Sequence, residues 1–182
     1  LQKANISSPK GAAAMPEYTH IIHPFDPLYD EHSKILILGS LPSVKSREQG
    51  FFYGHPQNRY WRLIAAIFDE PVPQTIEEKK ALVLNHHIAM WDAIYSCDII
   101  GSGDSSIKNV VPTDLSKIIR NSDIKRVFCN GKTSGAVYHK YQEPLLGIEA
   151  TVLPSTSPAN AAWSFERLVE VWRAELGRGL ME

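Results

Sequence analysis

The chain of 182 residues is 43 % hydrophobic and sets 19 lysines and arginines against 20 aspartates and glutamates, for a formal net charge of −1. That length supports one sizeable core, and the charge balance excludes a globally basic nucleic-acid binder and a polybasic membrane patch. Only Cys97 and Cys129 are present, far apart and without CxxC spacing, which excludes a disulfide framework and any four-thiolate zinc or iron–sulfur site; they read as buried free thiols of a reducing cytoplasm.

Residues 1–14, LQKANISSPKGAAA, are small, polar and patternless, and are set aside as a disordered lead or an expression remnant. Residues 15–182 then form a single domain. No apolar run reaches membrane-spanning length and no signal peptide is visible, so the expected setting is cytoplasmic.

The first clear element is a strand over Lys34–Leu38, KILIL, apolar after its lysine as a strand buried on both faces should be. A helix capped by Asn58 or a neighbour follows through about Asp69, with Trp61, Ile64, Ala65 and Phe68 on its apolar face and Pro71 and Pro73 beyond its end. Thr75 with Glu78 forms a capping box for a helix to about Asn85, and a short strand runs from about His87 to Trp91. Tyr95 to Pro112, rich in Gly, Ser and Asp, reads as a long loop before a short helix over Thr113–Arg120. A strand near Lys125–Cys129, a helix through GKTSGAVYHKY, a strand near Ala150–Leu153 and a helix from about Asn160 to Leu176 complete the chain. Alternating strands and helices predict an α/β three-layer sandwich: a central four-stranded, mostly parallel sheet flanked by helices.

Two loops on this layout carry chemistry. The first, GSLPSVKSREQGFFYGHPQNRYW from Gly39 to Trp61, leaves the carboxyl end of the buried strand, where ligands sit in open α/β sheets. It is also locally basic, with Lys45, Arg47, Arg59 and Arg62 against Glu48 alone up to Arg62, enough to hold a few phosphates. The second, LPSTSPANAAW from Leu153 to Trp163, also joins a strand to a helix, and its hydroxyls at Ser155 and Ser157 and the amides around Ala159 could hold a phosphate.

Each of these residues also has a plain structural reading. Asn58 fits an N-cap, one of Phe52 and Tyr53 fits a core anchor, and Ser40 and Ser43 fit partners for loop backbone. Lys45 could form a Schiff base with an abasic sugar, but an exposed loop lysine is usually only a charge. His86 and His87 are adjacent rather than four apart and make no helical metal pair. Asp92 and Asp104 could orient the loops, a solvated carboxylate being the default reading of each. Gly131-Lys132-Thr133 lacks the upstream glycine of a phosphate loop, Arg126 standing in its place, and no G-x-S-x-G elbow occurs.

The two loops, with WDAI at Trp91 and NGK at Asn130, resemble the paired motifs of the uracil-DNA glycosylase superfamily, and most closely those of its hypoxanthine (deoxyinosine) DNA glycosylases. The similarity spans nearly everything from Leu36 to Trp172. Two departures from the uracil enzymes stand out: no aspartate or asparagine follows Gly39 at their water-activating position, and Ser155 stands where they carry histidine or asparagine. The resemblance implies a metal-free, cofactor-free, monofunctional and monomeric enzyme that flips a deaminated base out of DNA and hydrolyses its N-glycosidic bond. It places catalysis on Asn58. The flipped base would meet Gly39, Ser40, Phe52, Tyr53 and His55, with Tyr53 or else Phe52 as its stacking platform. Ser43, Lys45, Arg47, Ser155, Ser157 and Asn160 would meet the DNA. The alternatives are removal of uracil or thymine from mismatches, and a module that binds damaged DNA without cleaving it.

Overall fold

The computed structural model describes residues 17–182, so the lead assigned to residues 1–14 lies outside the described residues. In chain order the elements are β1 (Thr19–Ile22), β2 (Ile35–Gly39), α1 (Val44–Gln49), α2 (Tyr60–Ile67), α3 (Ile76–Asn85), β3 (Ile88–Asp92), β4 (Ile94–Ile99), β5 (Lys108–Pro112), α4 (Ser116–Arg120), β6 (Arg126–Asn130), α5 (Lys132–Val137), α6 (Glu143–Leu146), β7 (Ala150–Leu153) and α7 (Phe165–Met181). A π-helical turn at Tyr138–Gln142 joins α5 to α6.

Strands β3, β2, β6 and β7 form, in that order, the expected four-stranded sheet, parallel throughout. The apolar run of β2 is buried along its whole length because helices cover both faces. The pleat shows this directly. A Cβ on Gly135 of α5 would strike Val152, whereas one on Gly179 of α7 would strike the Phe128 ring. Val152 lies in register with Cys129, the neighbour of Phe128, and successive residues of a strand point to opposite faces. Helices α5 and α7 therefore sit on opposite sides. The core between α7, α2 and the sheet includes Trp172, Tyr60, Leu63, Ile64 and Phe128, all inaccessible to solvent.

A second sheet departs from the sequence reading. Tyr95–Pro112 is not a loop: β5 and all of β4 after Ile94 lie within it and pair antiparallel with each other, and β1 pairs with β4. Register shifts between β4 and β5 break the period-2 alternation that would have revealed them. The sheet packs Ile94, Cys97 and Ile99 against Val137, with Tyr141 beside them. His20 and Asn109 each reach Asp98 at 2.7 Å across neighbouring strands.

Other boundaries move for local reasons. Helix α2 runs from Tyr60 to Ile67, ending two residues before Asp69, and Asn58 Oδ1 accepts from the Tyr60 amide and turns the chain before the helix starts. Helix α7 begins at Phe165, capped by Ser164, whose hydroxyl accepts from the Arg167 amide. Residues 160–163 belong to the preceding loop, and the helix continues to Met181. The box at Thr75 caps α3, with Glu78 reaching the Gln74 amide.

Candidate active site

In the sheet order, the chain runs from β2 outward to β3 on one side and from β6 outward to β7 on the other. The loops after β2 and β6 therefore diverge at a topological switch point, where α/β sheets hold their ligands. An open cleft of about 1060 Å³ lies there, lined by both chemistry-bearing loops, the ends of β2, β3 and β6, and the β4–β5 tip.

The first loop is ordered by its own side chains. Ser43 caps α1, and buried Ser46 accepts from the Gly54 amide, closing the loop. Phe51 and Phe52 are buried, and Trp61 Nε1 donates to the Phe52 carbonyl at 3.1 Å. Phe52 packs edge-on against Phe25, yet it lines the cleft floor. Tyr53 has a φ of 51°, a conformation that residues with side chains rarely adopt. The turn lays its ring on Tyr60 at 4.1 Å. Its hydroxyl comes to rest beside Gly39: a Cβ on that glycine would stand 3.1 Å from it and would overlap Asp92 Oδ1. Burial, and then the charge of Asp92, push the Tyr53 hydroxyl far above the ordinary tyrosine range, so it keeps its proton.

The second loop is fastened to the first by Arg59 and Thr156. The Arg59 guanidinium donates to the carbonyls of Thr156, Ser157, Asn160 and Trp163, and its amide also reaches the Thr156 carbonyl. Thr156 is fully buried. Its hydroxyl accepts from Asn130 Nδ2 and donates to Asn58 Oδ1, each at 2.9 Å, while its amide donates to Asn130 Oδ1 at 3.0 Å. These bonds fix both carboxamides. Asn58 Oδ1 is held by Thr156 and by the Tyr60 amide, leaving Nδ2 as the group it can offer to anything in the cleft.

Two carboxylates complete the lining. Asp104, on the β4–β5 tip, accepts from the Ser40 hydroxyl at 3.3 Å. Desolvation pushes its pKa above the ordinary aspartate value, while the Ser40 and Thr133 hydroxyls draw it back. Asp92, at the end of β3, is buried and bound by His23 at 2.6 Å. It is not the solvated carboxylate that the sequence suggests.

Residues 27–175 match the family model described as the uracil DNA glycosylase superfamily. The chain belongs to the uracil DNA glycosylase superfamily. It is 38 % identical over 155 residues to the hypoxanthine DNA glycosylase of Methanosarcina acetivorans, covering 82 % of this chain and 94 % of that protein. It is 35 % identical over 142 residues to the hypoxanthine DNA glycosylase of Methanosarcina barkeri, covering 75 % and 86 %. A solution NMR structure from Methanosarcina acetivorans, assigned as a uracil DNA glycosylase, superposes with a TM-score of 0.74 at 33 % identity, covering 89 % of this chain and 100 % of that one.

Within this superfamily member, the cleft gathers Gly39, Ser40, Ser43, Lys45, Phe52, Tyr53, His55, Asn58, Ser155, Ser157 and Asn160. Arg47 is not among its lining residues; the guanidinium donates instead to the Pro42 carbonyl at 3.0 Å. The basic patch is thinner than the sequence suggests, because Arg59 serves loop carbonyls and Arg62 lies over the Phe165 ring. Lys45, paired with Glu48 at 3.2 Å, and Lys132 line the cleft. The amides expected to meet a phosphate are engaged within the loop, Ser157 N by Ser155 and Ala159 N by Ser157. Four residues of the site were missed: His23, Arg59 in its clamping role, Asn130 and Thr156. Only Asn130 had a local signal, in its place at the end of an apolar strand.

Proposed function

We propose that this chain is a monofunctional DNA glycosylase that removes hypoxanthine from DNA. The carrying observation is the join at Thr156, which brings both loops to one cleft and occupies Oδ1 of Asn58, a lining residue, so that Nδ2 is the group its carboxamide has to offer. The names of its relatives supply the base. Hydrolysis of an N-glycosidic bond passes through a cationic sugar, so the site must hold a water against the sugar and bind the departing base. Asn58 Nδ2 donates to one lone pair of that water, leaving the other to attack the anomeric carbon. A carboxamide takes up no proton; the glycosidic electron pair leaves with the base, and the proton that the water sheds late, as its bond to carbon forms, passes through solvent to the departing hypoxanthine anion. The flipped base enters between Tyr53 and the Ser155–Asn160 wall, Lys45 and Lys132 face the phosphates, and Arg47 holds the loop that carries Lys45. The proposal includes a monomer that works in the cytoplasm without a metal ion; among the described residues no helix is long and apolar enough to cross a membrane.

The test is single-turnover base release from matched duplexes carrying deoxyinosine, deoxyuridine or deoxyxanthosine, with strand breaks scored before and after alkali. Hypoxanthine release with breaks only after alkali is the expected result, and Asn58→Ala should slow it about 10²-fold or more, as loss of a preorganised hydrogen-bonding group does. Uracil release alone would move the assignment to mismatch repair of pyrimidines. Tight lesion binding without release would replace the enzyme by a recognition module.

A further inference from the structure

Extruding a nucleotide requires a grip on the backbone to either side of it, and the lining of the cleft supplies cations on one side only. Among the described residues its lysines and arginines are Lys45 and Lys132, and Lys132 opens α5, on one face of the sheet. Helix α7 covers the opposite face, and the second loop, which leads into it, spends the Ser157 and Ala159 amides within itself. Two arginines stand just beyond that loop. Arg167 Cζ lies 4.1 Å from the centroid of the Trp163 ring, and Trp163 lines the cleft. Arg62, on α2, holds its Cζ 4.9 Å from the centroid of Phe165, the first residue of α7. Both arginines are exposed and both rings are half-buried.

Most arginines of the chain are spent on the protein itself. Arg47, Arg59 and Arg173 donate to carbonyls, and Arg126 and Arg178 to carboxylates. Among the described residues the guanidinium of neither Arg62 nor Arg167 has a hydrogen-bond partner or an ion pair, and Glu166, the acidic residue in the first turn of α7, pairs with neither. A ring beneath a guanidinium restrains it without taking its N–H donors, which remain in the fork that suits phosphate oxygens. Part of the ordering that binding demands is thus in place before DNA arrives. We infer that Arg62 and Arg167 form a second phosphate track, which takes the DNA backbone where it leaves the cleft on the α7 side while Lys132 holds it on the α5 side. Such contacts fix the position of the strand and read no base. The inference rests on the DNA-binding part of the reading above and not on its chemistry.

The experiment measures dissociation constants over a range of salt concentrations for an undamaged duplex and for one carrying 2′-fluoro-2′-deoxyinosine, whose fluorine disfavours a cationic sugar and keeps the base in place. Arg62→Gln and Arg167→Gln should each weaken binding of both duplexes about 10-fold, as loss of a hydrogen-bonded charge does. Each should also lower the slope of log K against log salt by about one, and the double variant by about two. Arg120→Gln removes the same charge from the end of α4, which leads to the amino end of β6, whereas the cleft lies at the carboxyl ends of the strands; it should leave the slope unchanged. A methylphosphonate scan then locates the contact, because neutralising one phosphate should weaken wild-type protein at a position to which Arg167→Gln is indifferent. An unchanged slope in both arginine variants, an equal fall in Arg120→Gln, or a scan identical in wild type and Arg167→Gln would overturn the inference. Release of hypoxanthine from a deoxyinosine duplex by wild-type protein is scored separately; its absence would end the glycosylase reading and leave the salt slopes to decide the track.

Discussion

Replacing Thr156 by valine removes one hydroxyl while keeping the shape of the side chain. That hydroxyl takes a hydrogen from Asn130 Nδ2 and gives one to Asn58 Oδ1, so two bonds are lost together. Each is worth about 0.5–1.5 kcal/mol net, which predicts a destabilisation of about 1–3 kcal/mol, and for a chain of this size a melting temperature lower by roughly 2–12 °C. The effect on the reaction should be larger than on the fold. Asn58 keeps its bond from the Tyr60 amide but can now swing about it, and misplacement by an ångström costs a catalytic group on the order of 10²-fold. The assay is single-turnover hypoxanthine release at saturating enzyme and at a temperature where both proteins are folded, beside a thermal melt. Thr156→Ser keeps the hydroxyl and should retain most of the rate. A valine variant that reacts as fast as the serine variant would show that the bridge between the loops does not position Asn58.

Other consequences follow from the same geometry. Arg59→Ala removes four side-chain hydrogen bonds to loop carbonyls, three of which keep a backbone amide donor, and should cost about 3 kcal/mol in urea unfolding, with Arg59→Lys recovering little because an ammonium lacks the planar fork; an unchanged midpoint would refute the clamp. The folded-state pKa of Asp104 is raised above its unfolded value, so the folded state holds the extra proton in the window between the two, and stability falls as pH rises through it. Asp104→Asn should therefore gain on wild type as pH rises above the ordinary aspartate range and converge with it below; parallel pH profiles would contradict this. Burial pushes the Cys129 thiol up to about 12, so in a Cys97→Ala background a disulfide reagent should label native protein at neutral pH no faster than the protein opens. Rapid labelling would place Cys129 at the surface.

What the sequence by itself determined is what nearby residues decide among themselves. The apolar run of β2, the cap at Thr75, the strand at Ala150–Leu153 and the order of strands and helices were all legible, because periodicity and capping act within a few residues. Asn58 was legible as a turn-forming residue ahead of a helix. The tertiary structure alone decided what its carboxamide offers, since the atom that orients it lies 98 residues away on Thr156. Likewise, His23 and Asp92 are 69 residues apart, and Asp92 becomes the buried partner of the His23 ring only when β1 lies alongside β4. That sheet was itself hidden, because its bulged strands lack the alternation that would announce them. Arg59 carries the same lesson: its charge was visible in the chain, but whether it faces a phosphate or four carbonyls depends on where a distant loop comes to rest. Local sequence sets the elements, and long-range hydrogen bonds, formed only once those elements pack, choose which atoms face the cleft.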